Sequence, residues 1–131
     1  MKRFKYKKVL LIDDSYIDNL INRRILENND FSESIVVIDS PDKAFQYIKE
    51  CLSDGKNLLP EVIFLDLRMP EMSGFEFLTI LGTILGSEPH NIKIYVLSSS
   101  LDPSDLKRIK ENSLVSKFIS KPLTNQALED L

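Results

Sequence analysis

The sequence predicts an α/β fold, a doubly wound sheet of five parallel strands in the order 2-1-3-4-5, and three observations lead there. Five short apolar runs alternate with helical patterns, so the chain reads as βα repeated five times. The two sharpest runs, Val9 to Ile12 and Val62 to Leu65, are uninterrupted and strand-sized, as strands covered on both faces require. Both stop at carboxylates, Asp13-Asp14 and Asp66. Right-handed crossovers with helices on both faces place strand 1 centrally beside strand 3, so the acids meet where the strand order reverses.

Each element has its own signal. After the first strand, Ser15 is the expected N-cap of a helix whose apolar stripe is Ile17, Leu20, Ile21 and Ile25, with Asp18 completing a capping-box-like start. Asn28, Asn29 and Asp30 mark its end. Ile35 to Ile38 is the second strand, and Asp39-Ser40-Pro41 opens a helix that uses Ala44, Phe45, Ile48, Cys51 and Leu52 and stops at Asp54-Gly55. Beyond the third strand and the loop Arg68 to Gly74, a third helix carries Phe75, Leu78, Ile80 and Leu81, extending to Ile84 and Leu85, with Gly82 and Gly86 weakening its later half. Ile94 to Leu97 is the fourth strand, followed by Ser98-Ser99-Ser100. Asp102-Pro103 starts a helix with Leu106 and Ile109, Lys117 to Ser120 forms the fifth strand, and Thr124 begins a short last helix.

Bulk properties narrow the function classes. At 131 residues the expectation is one domain, residues 1–131, without a separate output module. Hydrophobic residues at 43% and charged residues at 28% are ordinary globular values. A net charge of −3 argues against general nucleic-acid binding, and no apolar stretch is long enough to span a membrane. The basic start, Lys2 to Lys8, leads into only four aliphatic residues, too few for a signal-peptide core. Cys51 has no partner for an internal disulfide and reads as an inert thiol on a helix stripe, in keeping with a cytoplasmic location. His90, in the polar loop Ser87 to Asn91, reads as a surface residue.

The chemistry rests on the strand ends. Three clustered carboxylates, Asp13, Asp14 and Asp66, repel one another unless a cation joins them. Oxygen-only ligands at a shallow sheet edge favour Mg2+, which binds through a few carboxylates and keeps several waters. An acid pair can also anchor a loop, but two adjacent acids facing a third have no evident structural purpose.

Together with Ser98 closing the fourth strand, Lys121-Pro122 closing the fifth, and Asp66 set in LDLRMPEMSG, these residues resemble the receiver domains of two-component response regulators, typified by the chemotaxis response regulator. The resemblance runs from about Lys8 to the end of the chain and implies the flavodoxin-like version of the predicted sheet. It makes Asp66 the acceptor that attacks a phosphohistidine. Mg2+ would be held directly by Asp14 and Asp66, largely through water by Asp13, and by the main-chain carbonyl of Arg68. Lys121 would supply a mobile charge to a phosphoryl oxygen and Ser98 a hydroxyl, a group that Ser99 and Ser100 also carry. Backbone N–H groups after Asp66 and near Ser99 would complete the cradle. Ser98 and Phe118 would form the switch pair, and Lys121-Pro122 is a candidate cis bond. Ser98 stands where threonine is more frequent, Phe118 where Tyr is also common, and Ser73 where an acid or amide often precedes the loop glycine. Arg68 and Ser100 would flank the path of water attacking an aspartyl phosphate. Pro70 and Gly74 read as loop formers.

The expected function is a stand-alone phosphoacceptor switch with intrinsic self-phosphorylation and self-dephosphorylation chemistry, and not a conventional enzyme. Its expected partners are a sensor histidine kinase or histidine phosphotransfer protein and a downstream protein reached through helix 4 and strand 5. Neither nucleic acid nor membrane is expected, and the chain is expected to be a monomer or weak dimer. The last helix is shorter than the family's usual one, which leaves open a receiver module cut from a hybrid kinase or multidomain regulator. A phosphoester hydrolase working through an aspartyl phosphate would use a similar acid, Mg2+, hydroxyl and lysine set. Such enzymes usually carry a second Asp two residues after the nucleophile, where this chain has Arg68.

Overall fold

Apolar runs become strands wherever helices cover them on both sides. A computed structural model describes residues 3–54, 59–86, 90–99 and 102–131, and everything below concerns those residues. The strands are β1 (Tyr6–Ile12), β2 (Ser32–Ile38), β3 (Val62–Asp66), β4 (Lys93–Ser98) and β5 (Val115–Ser120), joined in one parallel sheet of order β2-β1-β3-β4-β5. Every residue of β3 is buried, as its unbroken apolar run requires, whereas most of the outer strand β2 is half-buried or exposed. Here β2 begins at Ser32 and β5 at Val115, earlier than their apolar cores indicate, because pairing with β1 and β4 recruits polar residues into the ladders.

Five helices cross between the strands: α1 (Tyr16–Asn28), α2 (Pro41–Asp54), α3 (Gly74–Leu85), α4 (Pro103–Glu111) and α5 (Asn125–Glu129). On one sheet face, α2 and α3 bury Ala44, Phe45, Ile48, Phe77, Leu78 and Leu81 against Leu10, Ile12, Ile63 and Leu65. On the other, Leu26 of α1 and Leu128 of α5 pack with Val9, Leu11, Val62 and Phe64. Helix α2 ends at Asp54, and Gly55 lies outside the described residues. Cys51 is buried, and the ring nitrogen Nδ1 of His90 accepts from the Ile92 N–H at 3.3 Å.

Two expectations about helix faces are corrected. In α1 the buried residues are Asn19, Asn22 and Leu26, while Ile17, Leu20 and Ile21 are exposed and Ile25 is half-buried. At ~100° per residue the expected stripe and the buried face lie on nearly opposite sides of the helix. The physical reason is local: Asn19 Nδ2 donates to the Asp13 carbonyl at 2.7 Å, which turns that side inward. In α3, Phe77 is fully buried, stacked on Phe45 with ring centroids 4.5 Å apart, while Ile80 is exposed. The helix runs through Gly82 and ends at Leu85, with Gly86 beyond it at φ 67.

Candidate functional site

Parallel register carries the polar strand ends to one rim. Ile12 pairs with Leu65, so Asp13 and Asp66 follow side by side; Asp66 pairs with Leu97, and Ser98 with Ser120, immediately before Lys121. One carboxylate oxygen from each of Asp13, Asp14 and Asp66 lies within 4.8 Å of the other two. Asp13 and Asp66 are buried and Asp14 is exposed, so the trio opens to solvent on one side. Hard oxygen donors in this arrangement fit a divalent cation that retains part of its water shell.

Each acid is placed by its neighbours. Asp13 Oδ1 accepts from the Ser15 N–H at 2.9 Å, which seats the acid pair against the start of α1. Ser15 caps the helix by accepting from the Asp18 N–H at 3.2 Å. The reciprocal half of a capping box is missing, because the Ser15 N–H goes to Asp13 and the Asp18 carboxylate turns to Lys121. Gly74 sits where a Cβ would lie 2.9 Å from Leu67 Cα and 3.3 Å from the Asp66 carbonyl, so only glycine lets α3 start this close to the acid. Its N–H donates to the Leu67 carbonyl at 2.8 Å and closes the loop.

Lys121 follows β5, with a cis bond to Pro122. Its ammonium lies 2.7 Å from Asp13 Oδ2, 2.9 Å from Asp18 Oδ2 and 3.2 Å from Asp66 Oδ1. Burial pulls the Lys121 pKa down, but hydrogen bonds to Asp13 and Asp18 and the charge of Asp66 outweigh it and hold the group above the ordinary lysine range. Burial, then the charge of Asp13, pushes Asp66 from the ordinary 3.8 up to about 6, against the opposing pull of Lys121.

The remaining expected residues divide. Ser98 is buried at the end of β4, and its carbonyl accepts from the Lys121 N–H at 3.0 Å. Phe118 is half-buried against a cluster of Leu67, Phe75, Val96 and Ile109 between the sheet and α4. The first N–H after Asp66, that of Leu67, donates to the Leu97 carbonyl at 3.2 Å and is therefore tied into the sheet. Arg68 is 61% exposed at its side chain and pairs with Asp105 in the first turn of α4. Ser100 lies outside the described residues. Sequence reasoning missed Asp18 and Asp105 as partners of Lys121 and Arg68. For Asp18 the available signal was its place in the first turn of a helix that starts at the acid pair, within about 5 Å of rise from it.

An acid trio, a buried hydroxyl and a lysine on the carboxyl rim of a 2-1-3-4-5 sheet define a receiver-type doubly wound domain. Comparison with known proteins agrees: the model of the response regulator receiver domain matches residues 9–131, and the chain belongs to that family. It is 30% identical over 128 residues to the two-component response regulator ORR1 of Oryza sativa subsp. japonica, covering 95% of this chain and 53% of that protein. It is likewise 30% identical over 122 residues to the probable methanogenesis regulatory protein FilR2 of Methanothrix harundinacea, covering 92% of this chain and 76% of the relative. The chain thus spans about half the length of the rice regulator. Among solved structures, a two-component response regulator from Cytophaga hutchinsonii superposes with a TM-score of 0.88 at 31% identity, covering 96% of this chain and 93% of that one. No helix among the described residues is long and apolar enough to cross a membrane.

Proposed function

We propose that residues 1–131 form one receiver domain acting in the cytoplasm as a phosphoacceptor switch of a two-component phosphorelay, with Asp66 accepting the phosphoryl group. The observation that carries this reading is the placement of Asp66, buried and 3.2 Å from the Lys121 ammonium, beside two further acids. Asp66 forms its O–P bond as the P–N bond of a phosphohistidine breaks, and the leaving imidazole takes up a proton. A carboxylate is a weak nucleophile, so the transfer depends on alignment and on neutralising the phosphoryl oxygens. Asp14 and Asp66, with Asp13 largely through water and the Arg68 carbonyl, would hold Mg2+, which when bound supplies charge neutralisation and orientation. Lys121 donates to one phosphoryl oxygen and the Ser98 hydroxyl to another.

Phosphorylation adds roughly two negative charges. Movement of Ser98 toward them vacates space beneath the β4–α4 connection, and Phe118, already seated against Val96 and Ile109, turns into it. That is a population shift between two packings, read by a partner protein at the surface of α4 and β5. The donor, a sensor histidine kinase or histidine phosphotransfer protein, docks on the exposed stripe Tyr16, Ile17, Leu20 and Ile21, which begins where Ser15 contacts the acid pair. The domain works as a monomer or weak dimer.

The test is covalent. Acetyl phosphate with Mg2+ should add one phosphoryl mass to the wild-type chain and none to Asp66→Asn. Equal labelling of the two would move the acceptor elsewhere and overturn the reading. The chain has no Trp, so intact mass rather than indole fluorescence is the readout.

A further inference from the structure

We infer that Asp18 is a positioning residue that restrains Lys121 from the phosphoryl group and so slows loading of the acceptor, an inference that rests on the phosphoacceptor reading of Asp66. An ammonium has three N–H donors; Lys121 gives one to Asp13 at 2.7 Å and one to Asp18 at 2.9 Å, while its charge faces Asp66 Oδ1 at 3.2 Å. Any movement of Lys121 from Asp66 Oδ1 onto a phosphoryl oxygen works against the two hydrogen bonds to Asp13 and Asp18. The three carboxylates are not equivalent. Asp13 and Asp66 belong to the acid trio with Asp14 and share their charge with whatever cation the trio holds, whereas Asp18 lies outside it. Asp18 therefore keeps its full claim on Lys121 when a cation is bound. Its backbone is held by the capped first turn of α1, where the Asp18 N–H donates to the Ser15 hydroxyl and the Ser15 N–H to Asp13 Oδ1, so the carboxylate starts from a fixed point beside the site. It is not needed to keep Lys121 in the site, because the shorter bond to Asp13 does that. What it adds is a competing acceptor and a fourth negative charge facing an incoming anionic phosphodonor.

Asp18→Asn keeps the size of the side chain and removes the charge. At low salt it should raise the second-order rate of phosphorylation by acetyl phosphate with Mg2+ about threefold to fivefold, the scale of one partly screened ion pair. It should tighten binding of beryllofluoride, a phosphoryl mimic, by a similar factor, read from melting-temperature titrations. Asp18→Glu should return both values toward wild type. In a Lys121→Ala background the Asp18→Asn gain should vanish, because the effect runs through the lysine; a gain that persists would assign it to bulk charge and overturn the inference. Unchanged or slower loading in Asp18→Asn, in a protein that melts like the wild type, would also overturn it. If the wild type itself takes up no phosphoryl group while remaining folded, the reading of Asp66 fails, and that result is distinct from a wild type that loads at the same rate as Asp18→Asn.

Discussion

Helices α1 and α2 are consecutive, amphipathic and of nearly equal length, 13 and 14 residues, yet they treat their apolar stripes in opposite ways. In α2, Ala44, Phe45, Ile48 and Cys51 are all buried, as their spacing predicts. In α1, Tyr16 is 79% exposed and Ile17 66%, while two asparagines lie in the interface with the sheet. The difference teaches that periodicity defines a stripe but not the direction it faces. Where only hydrocarbon competes for the sheet, the stripe turns inward. Where a polar contact such as the bond from Asn19 to the Asp13 carbonyl lies on the side facing the sheet, the stripe stays exposed. Contiguous apolar surface of this kind marks interaction sites on folded domains.

Core truncation under α2 should have the largest effect on stability. Ile48→Ala is expected to cost about 3 kcal/mol, because the side chain is fully enclosed and its removal leaves a cavity. Chemical denaturation measures this, and a cost under about 1 kcal/mol would mean that α2 packs no better than α1.

Beneath the start of α1 lies charge rather than hydrocarbon, and it should make stability depend on pH. Asp66 titrates at about 6 in the folded chain against the ordinary 3.8. Between those values the folded state binds more protons than the unfolded state, so with chelator present stability should fall as pH rises from about 4 to about 6, by on the order of 2 kcal/mol. In Asp66→Asn that slope should disappear, leaving the metal-free variant more stable than wild type at pH 7. A slope that survives the substitution would assign it to other groups.

Smaller again is Asn19→Ala, which removes the hydrogen bond to the Asp13 carbonyl and should cost about 1 kcal/mol. If the polar anchor sets the rotation of α1, this variant should also lower the exposure of Ile17 and Leu20, measured by covalent labelling of Cys substituted at position 17 or 20. Unaltered labelling would show that α1 holds its orientation without Asn19.

The smallest stability change should come from the stripe itself. Leu20→Ala should shift stability by less than about 0.5 kcal/mol, yet lower transfer from a phosphorylated histidine donor protein about tenfold while leaving loading by acetyl phosphate intact. A loss of stability on the scale of Ile48→Ala would mean that the stripe is packed, and equal transfer would place the donor elsewhere.

Strand positions, their order and the meeting of Asp13, Asp14 and Asp66 were legible in the sequence, because a strand buried on both faces must be an apolar run and parallel crossovers leave few ways to arrange five of them. Lys121 and Ser98 were singled out by the resemblance to receiver domains, and the register of β4 and β5 brings both to the same rim. The burial of α2 followed from its stripe, since Ala44, Phe45 and Ile48 meet apolar side chains of the sheet and of α3. Tertiary structure alone decided the rotation of α1, the burial of Phe77 in place of Ile80, the pairing of Arg68 with Asp105 and the grip of Asp18 on Lys121. Each of these depends on which side chain meets a neighbour more than thirty residues away in the chain, or on a helix rotation set by a single hydrogen bond. Periodicity carries no information about either, because it fixes the spacing of side chains along an element and leaves open what stands opposite them.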